Sequence, residues 1–105
     1  MTDERLTSIL AERVMGWRVG PDRYITVDRQ WIKRERFQPA RSLDAALRLV
    51  NALQPISYNV GGSQSGCWAR IQTAAGTWEA TAHSMSLALC LAIARAQGID
   101  VEELR

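Results

Sequence analysis

Residues 80–98, "ATAHSMSLALCLAIARAQG", decide the fold because most of this stretch is apolar. The spacing predicts a helix over residues 84–97. Apolar side chains occupy nearly its whole circumference, and only Ser86, Arg95 and Gln97 leave two narrow polar edges. A helix of this kind has to be covered on two sides. Either a sheet lies on one side and other helices on the second, or a partner chain completes the burial.

Two further helices are predicted before this one. An amphipathic helix spans residues 2–15, with Thr2 as its candidate N-cap. A second helix begins at Ser42 and is ended by Pro55. Its apolar stripe is expected at Leu43, Ala46, Leu47, Val50 and Leu53.

Alternating apolar residues and turn signals predict the strands. Three of them are expected near residues 56–60, 68–72 and 78–81, with "GGSQSG" (61–66) as a flexible connection. Residues 16–40 predict one or two short strands, as a hairpin or a sheet edge. The order α-(β)-α-β-β-β-α therefore predicts one α+β domain over residues 1–105, in which helices pack on an antiparallel three- to four-stranded sheet.

The composition is that of an ordinary globular protein. Of the 105 residues, 47% are hydrophobic and 23% are charged, and the net charge is +2. This charge creates no global field that would draw the molecule onto DNA or an anionic membrane. The N-terminal stretch lacks a signal-peptide pattern, and no segment approaches the roughly 18 apolar residues of a membrane span. We therefore expect a cytoplasmic protein.

Residues able to do chemistry are few and scattered. His83, the single histidine, precedes Cys90 by about 10 Å along a helix, whereas a nucleophile and its base must approach to about 3 Å. Cys90 lies among leucines, which disfavours its thiolate, and we expect both it and Cys67 to be reduced. The sequence predicts no catalytic residue, no metal site and no cofactor, and hence no enzyme. A pairing of His83 with Cys67 is the remaining catalytic alternative.

A basic segment extends from Arg18 to Arg41 and holds seven basic residues against three acidic ones, with Trp31 and Phe37 between them. Arg and Trp are the residue types enriched in binding hot spots. The alternative is that Trp31 packs in the core and the charges form a solvated strand face. The candidate partner-binding residues are Arg29, Trp31, Lys33, Arg34, Arg36 and Arg41.

Three stretches together resemble the phage ABA sandwich family, which comprises small proteins of tailed phages and prophages. They are "LAERVMGW" (10–17), "FQPARSLDAALRLVNAL" (37–53) and "SMSLALCLAIARAQG" (84–98). The resemblance implies a compact helix–sheet–helix sandwich encoded by a phage or prophage. It implies no assigned activity, so no functional residue is carried over. "WIKRERF" (31–37) departs from the family because it is more basic than expected there.

Two functions fit these observations. The first is a non-enzymatic module that binds a host or phage protein in the host bacterial cytoplasm. An inhibitor of host defence, such as an anti-CRISPR protein, is one version of it. The second is a nucleic-acid-binding accessory protein that uses the basic segment. Double-stranded RNA-binding domains share the order α-β-β-β-α, but they grip phosphates at the start of the last helix. Here that position reads "AHSMSL" (82–87), without Lys or Arg.

Trp68 poses a separate question. If Cys67, Ala69 and Ile71 face the core, strand alternation turns Trp68 toward the opposite face. Either a layer of this chain or a partner should then cover it, and the family resemblance favours a layer. A homodimer through this face or through the last helix is the alternative.

Overall fold

The computed structural model describes residues 3–99, and its side chains from Arg5 onward. The proposed capping role of Thr2 lies outside these residues. The elements in chain order are α1 (Asp3–Arg13), β1 (Arg18–Val19), β2 (Arg23–Ile25), β3 (Trp31–Lys33), a 3-10 turn (Arg34–Arg36), α2 (Leu43–Leu53), β4 (Ser57–Ser63), β5 (Gly66–Thr73), β6 (Gly76–Ala82) and α3 (Met85–Ala96). The α+β class and the predicted order of elements are confirmed.

Helix α3 lies at the centre of the molecule. It packs against β5 and β6 on one side and against α2 and α1 on the other. The first of the two predicted coverings is therefore confirmed. Ser84 caps the helix, since its hydroxyl accepts a hydrogen bond from the Leu87 amide at 3.2 Å.

Ser86 departs from its predicted place on a polar edge of α3. It is buried, and its hydroxyl donates to the carbonyl of Ala40 at 2.9 Å. The prediction was wrong because a short side chain with one good acceptor can be buried at little cost. The bond also fastens α3 to the loop that precedes α2.

Strands β4, β5 and β6 form an antiparallel meander, which we call the large sheet. Both hairpins have two-residue turns, because Ser63 pairs with Gly66 and Thr73 with Gly76. The expected flexible connection over residues 61–66 is therefore wrong, since half of it lies within β4. Gly66 and Gly76 adopt φ values of 136° and 153°, a region that only glycine enters readily.

Strands β1, β2 and β3 form a separate antiparallel sheet, which we call the small sheet. The sequence predicted one or two strands here and not an independent sheet. Its inner face is held by three buried aromatic residues, Trp17, Tyr24 and Phe37, whose ring centroids lie 4.9–6.1 Å apart. Arg48 of α2 extends over Trp17 and Phe37, with its guanidinium 5.8 Å from each ring centroid.

Helix α2 begins as predicted, with the Ser42 hydroxyl accepting from the Ala45 amide at 3.4 Å. It ends where Gln54 takes a left-handed conformation, just before Pro55. Its buried residues are Ala45, Ala46, Leu49 and Val50. The predicted stripe is thus rotated toward Ala45 and Leu49, and Leu43 is left 40% exposed. No helix within residues 3–99 is long and apolar enough to cross a membrane.

Candidate functional site

The outer face of the small sheet gathers basic and apolar side chains. Pairing aligns Arg18 with Ile25, Ile25 with Trp31, and Arg23 with Lys33. Since alternate residues of a strand share one side, these five side chains lie on one face, which we call the basic face. Trp31 is 56% exposed there. The hypothesis that Trp31 packs in the core is therefore wrong.

One cation of the basic face is partly neutralised. Arg23 donates from Nε and Nη2 to the two carboxylate oxygens of Asp22, at 3.0 and 3.2 Å. The hydrogen bond from Arg23 lowers the pKa of Asp22 below its ordinary value. The same guanidinium lies 4.9 Å from the ring centroid of Trp31. Arg18 and Lys33 form no ion pair with any described residue.

The hairpin between β2 and β3 extends the basic face. Val27 is 76% exposed at its tip, and Arg29 has a left-handed conformation with φ of 66°. The Thr26 hydroxyl hydrogen-bonds to Asp28 across the turn. A shallow cleft of about 570 Å³ connects Val27 and Arg29 to Arg18 and Ile25.

Arg34 lies apart from the basic face. Its Nε and Nη2 donate to the carbonyl of Gly20 at 3.2 and 2.7 Å. Its guanidinium also lies 5.5 Å from the ring centroid of Tyr24. The side chain therefore joins the end of β3 to the β1–β2 turn, and it is half-buried.

The six candidate residues consequently occupy different places. Trp31 and Lys33 lie on the basic face, with Arg29 at its hairpin tip. Arg34 and Arg41 line a second cleft, of about 400 Å³, together with Asp22 and Glu35. Arg36 is exposed in the 3-10 turn.

Sequence reasoning did not single out Arg18, Arg23 or Ile25 as site residues. The spacing Arg23-x-Ile25 and Trp31-x-Lys33 was the available signal, because residues two apart on a strand share a face. The pairing register of such short strands was needed to place the two pairs side by side.

The reactive side chains stay separate among the described residues. Cys90 is fully buried, whereas His83 is exposed and forms no hydrogen bond with either sulfur. Neither Cys67 nor Cys90 takes part in a disulfide bond among the described residues. Among the side chains that the structure describes, from Arg5 to Ile99, no group of three His, Cys, Asp or Glu is arranged to hold a metal ion.

Trp68 lies on the outer face of the large sheet. It is 37% exposed, and its indole rests against Gly61 of β4, where an added Cβ would approach the ring to 2.7 Å. Beside it, Arg70 donates to Glu79 at 3.1 Å. Within residues 3–99 no element covers this face, so the expected covering layer is wrong. The glycine opposite Trp68 provides part of the contact that a layer would have given.

Comparisons with known proteins agree on the fold. Residues 8–93 match the protein family described as the phage ABA sandwich domain. Among solved structures, the chain is similar to a phage protein from Bacillus cereus ATCC 14579. The TM-score is 0.80 at 15% sequence identity, and the match covers 95% of this chain and 91% of that one. At this identity the likeness shows the fold alone. No curated protein matches the chain.

Proposed function

Because this chain belongs to the phage ABA sandwich domain family, we propose that it is a non-enzymatic phage or prophage protein that acts by binding another protein. The proposed contact surface is the basic face. The observation that carries the proposal is the 56% exposure of Trp31 on β3, on the same face as Arg23 and Lys33. Exposure of a large aromatic side chain to water is unfavourable, and the free energy falls when a partner covers it.

The chemistry around Trp31 is that of a protein interface. Ile25 and Val27 are exposed nearby, at 36% and 76%, and cations surround this apolar centre. Interfaces combine an apolar core with a polar rim, and Trp and Arg are enriched among the residues that dominate affinity. Since Arg18 and Lys33 form no ion pair with any side chain that the structure describes, an acidic partner surface would complement them.

The proposed partner is a host or phage protein complex in the host bacterial cytoplasm. A small phage protein that occupies an acidic surface of a host defence complex would block that surface for its own partners. Inhibition of host defence, as by an anti-CRISPR protein, is one form of this role.

Nucleic-acid binding is the second candidate, because several cations of the basic face lie beside an aromatic ring on which a base could stack. Three observations disfavour it. The carboxylate of Asp22 already accepts from the Arg23 guanidinium and would compete with a phosphate for it. The same guanidinium lies over the Trp31 ring and would compete with a stacking base. At the start of α3, where an RNA-binding domain would carry cations, Ser86 is buried.

The test is capture of a partner from infected host cells by the wild type and by three variants. We expect Trp31→Ala and Lys33→Glu to lose the partner, and the control Arg13→Glu, on the exposed end of α1, to retain it. All three should keep their stability within about 0.5 kcal/mol, as surface substitutions do. Retention of the partner by Trp31→Ala would contradict the proposal.

Salt dependence distinguishes the two candidates. If the basic face binds duplex DNA, the logarithm of the affinity falls linearly with the logarithm of salt concentration, by about 0.9 per phosphate neutralised. A purified protein that shifts DNA at low salt with this slope, and loses the shift in Lys33→Glu, would favour the second candidate over the first.

A further inference from the structure

We propose that the free edge of β4 pairs with β4 of a second copy of this chain, which joins two large sheets into one antiparallel six-stranded sheet. The large sheet has the order β4-β5-β6, so β4 and β6 are its edges. An edge strand presents unpaired backbone groups that act as a template for another strand.

The hydrogen-bond pattern identifies which backbone groups of β4 are open. Arg95 donates to the carbonyl of Glu79 at 2.9 Å, so this carbonyl points away from β5. In an antiparallel pair, bonded and non-bonded residue pairs alternate. Arg70 lies opposite Glu79, so its backbone amide and carbonyl point toward β4, where they bond to the backbone of Asn59. The amides and carbonyls of Tyr58, Val60 and Gly62 consequently point outward.

These outward groups are unpaired within the described chain. None of the backbone or side-chain hydrogen bonds outside the strand ladders involves Tyr58, Val60 or Gly62. The opposite edge differs, because Arg95 of α3 already bonds one of its outward carbonyls. The large sheet is thus open on one edge and partly closed on the other.

The sequence of β4 lacks the features that protect an edge. "SYNVGGS" contains no charged residue and no proline, which are the usual means of preventing strand addition. In the small sheet, by contrast, the edge strands β1 and β3 carry Arg18 and Lys33. Two copies of β4 can therefore meet without charge repulsion.

The side chains of β4 suit pairing with an identical strand. Full antiparallel overlap of Ser57–Ser63 places Val60 opposite Val60 and Tyr58 opposite Gly62 of the second copy. Tyr58 is 45% exposed and the opposing glycine leaves it room, while Asn59 faces Gly61. This register forms about six hydrogen bonds between the chains, two for each bonded pair.

The experiment combines sedimentation equilibrium with a proline variant. Val60→Pro removes one outward amide and leaves the β4–β5 ladder intact, as proline does on an edge strand. We expect the wild type to dimerise and Val60→Pro to lose the dimer completely. The matched control Thr81→Pro removes an outward amide from β6 and should keep the dimer. Cooperative thermal unfolding verifies that each variant folds.

Amide hydrogen exchange of the wild type tests the same claim without a variant. The amides of Tyr58, Val60 and Gly62 should become protected as protein concentration rises, whereas those of Asn59 and Gly61 should be protected at every concentration. Any one of three results would overturn the proposal. The protein could stay monomeric up to about 1 mM, the dimer could persist in Val60→Pro, or the outward amides could remain unprotected in the dimer.

Discussion

In the large sheet, Trp68 rests against Gly61 of the neighbouring strand, and Arg70 beside it is bonded to Glu79. In the small sheet, Trp31 is more exposed, at 56% against 37%, and Lys33 on the same strand has no ion-pair partner within the described residues. Both strands carry a tryptophan and a cation two residues apart. The difference lies in the neighbouring strands. In the large sheet they provide a glycine that contacts the tryptophan and a carboxylate that pairs with the cation, whereas in the small sheet the tryptophan stays more exposed and Lys33 has no carboxylate partner among the described residues.

The two sheets are also held in different ways. The large sheet packs on α3, a helix whose aliphatic residues include the fully buried Leu89 and Ile93. The small sheet depends on the cluster of Trp17, Tyr24 and Phe37. Its strands of two and three residues could not be stable without this support.

The largest effect is expected for Phe37→Ala. Phe37 is fully buried and contacts both other rings of the cluster, so its truncation should lower the free energy of unfolding by about 3–5 kcal/mol. Urea denaturation measures the loss. Phe37→Leu is the control and should lower the free energy of unfolding by less than Phe37→Ala does. A loss below about 1 kcal/mol, a typical surface-level effect, would show that the cluster does not hold the small sheet.

A smaller loss is expected for Gly61→Ala. The new methyl group would approach the Trp68 indole to 2.7 Å, and overpacking of this kind costs about 1–3 kcal/mol. In a Trp68→Ala background the same change should cost almost nothing. A double-mutant cycle measures this coupling. Additive effects of the two substitutions would mean that Trp68 does not rest on Gly61.

Arg34 and Lys33 are neighbours in sequence with different roles. Arg34→Ala removes two bonds to the Gly20 carbonyl and the contact with Tyr24, and should destabilise the protein by about 1–2 kcal/mol. Lys33→Ala should change stability by less than about 0.5 kcal/mol. Thermal unfolding of both variants at one pH measures the two losses of stability. Equal losses would contradict the division between a structural and a surface cation.

The smallest effect is expected for Arg70→Ala on the large sheet. Its ion pair with Glu79 is about half exposed on both sides, and pairs of this kind contribute about 0.2–1 kcal/mol. The loss should shrink further in high salt because the charges are screened. A loss that is larger and insensitive to salt would indicate a packing role for the Arg70 side chain.

Much of the fold could be predicted from the sequence because local chemistry and periodicity agree. Helices α2 and α3 begin after Ser42 and Ser84, where they were expected to begin, and the apolar circumference of α3 correctly required two covering layers. The burial of Ser86 could not be predicted, since its acceptor on Ala40 comes from a distant part of the chain. Leu43 was misplaced because the apolar pattern of α2 allows two neighbouring faces.

The candidate site could be predicted only in part. Charge and residue type located the basic segment, and Trp31 and Lys33 do share a face. The sequence could not separate Arg34 from them, because the partner that holds it is the backbone carbonyl of Gly20. Backbone acceptors have no signature in the pattern of residues. The contribution of Arg18 and Ile25 likewise depends on strand register, which two- and three-residue strands do not reveal.

Site-specific photo-crosslinking in the infected host tests the central claim most directly. A photoreactive amino acid is placed at Lys33 on the basic face, or at Thr77 on the exposed face of the large sheet as the matched position. The account predicts one discrete adduct to another protein from position 33 and none from position 77. An adduct from position 77 alone, or nucleic acid as the species linked at position 33, would contradict it.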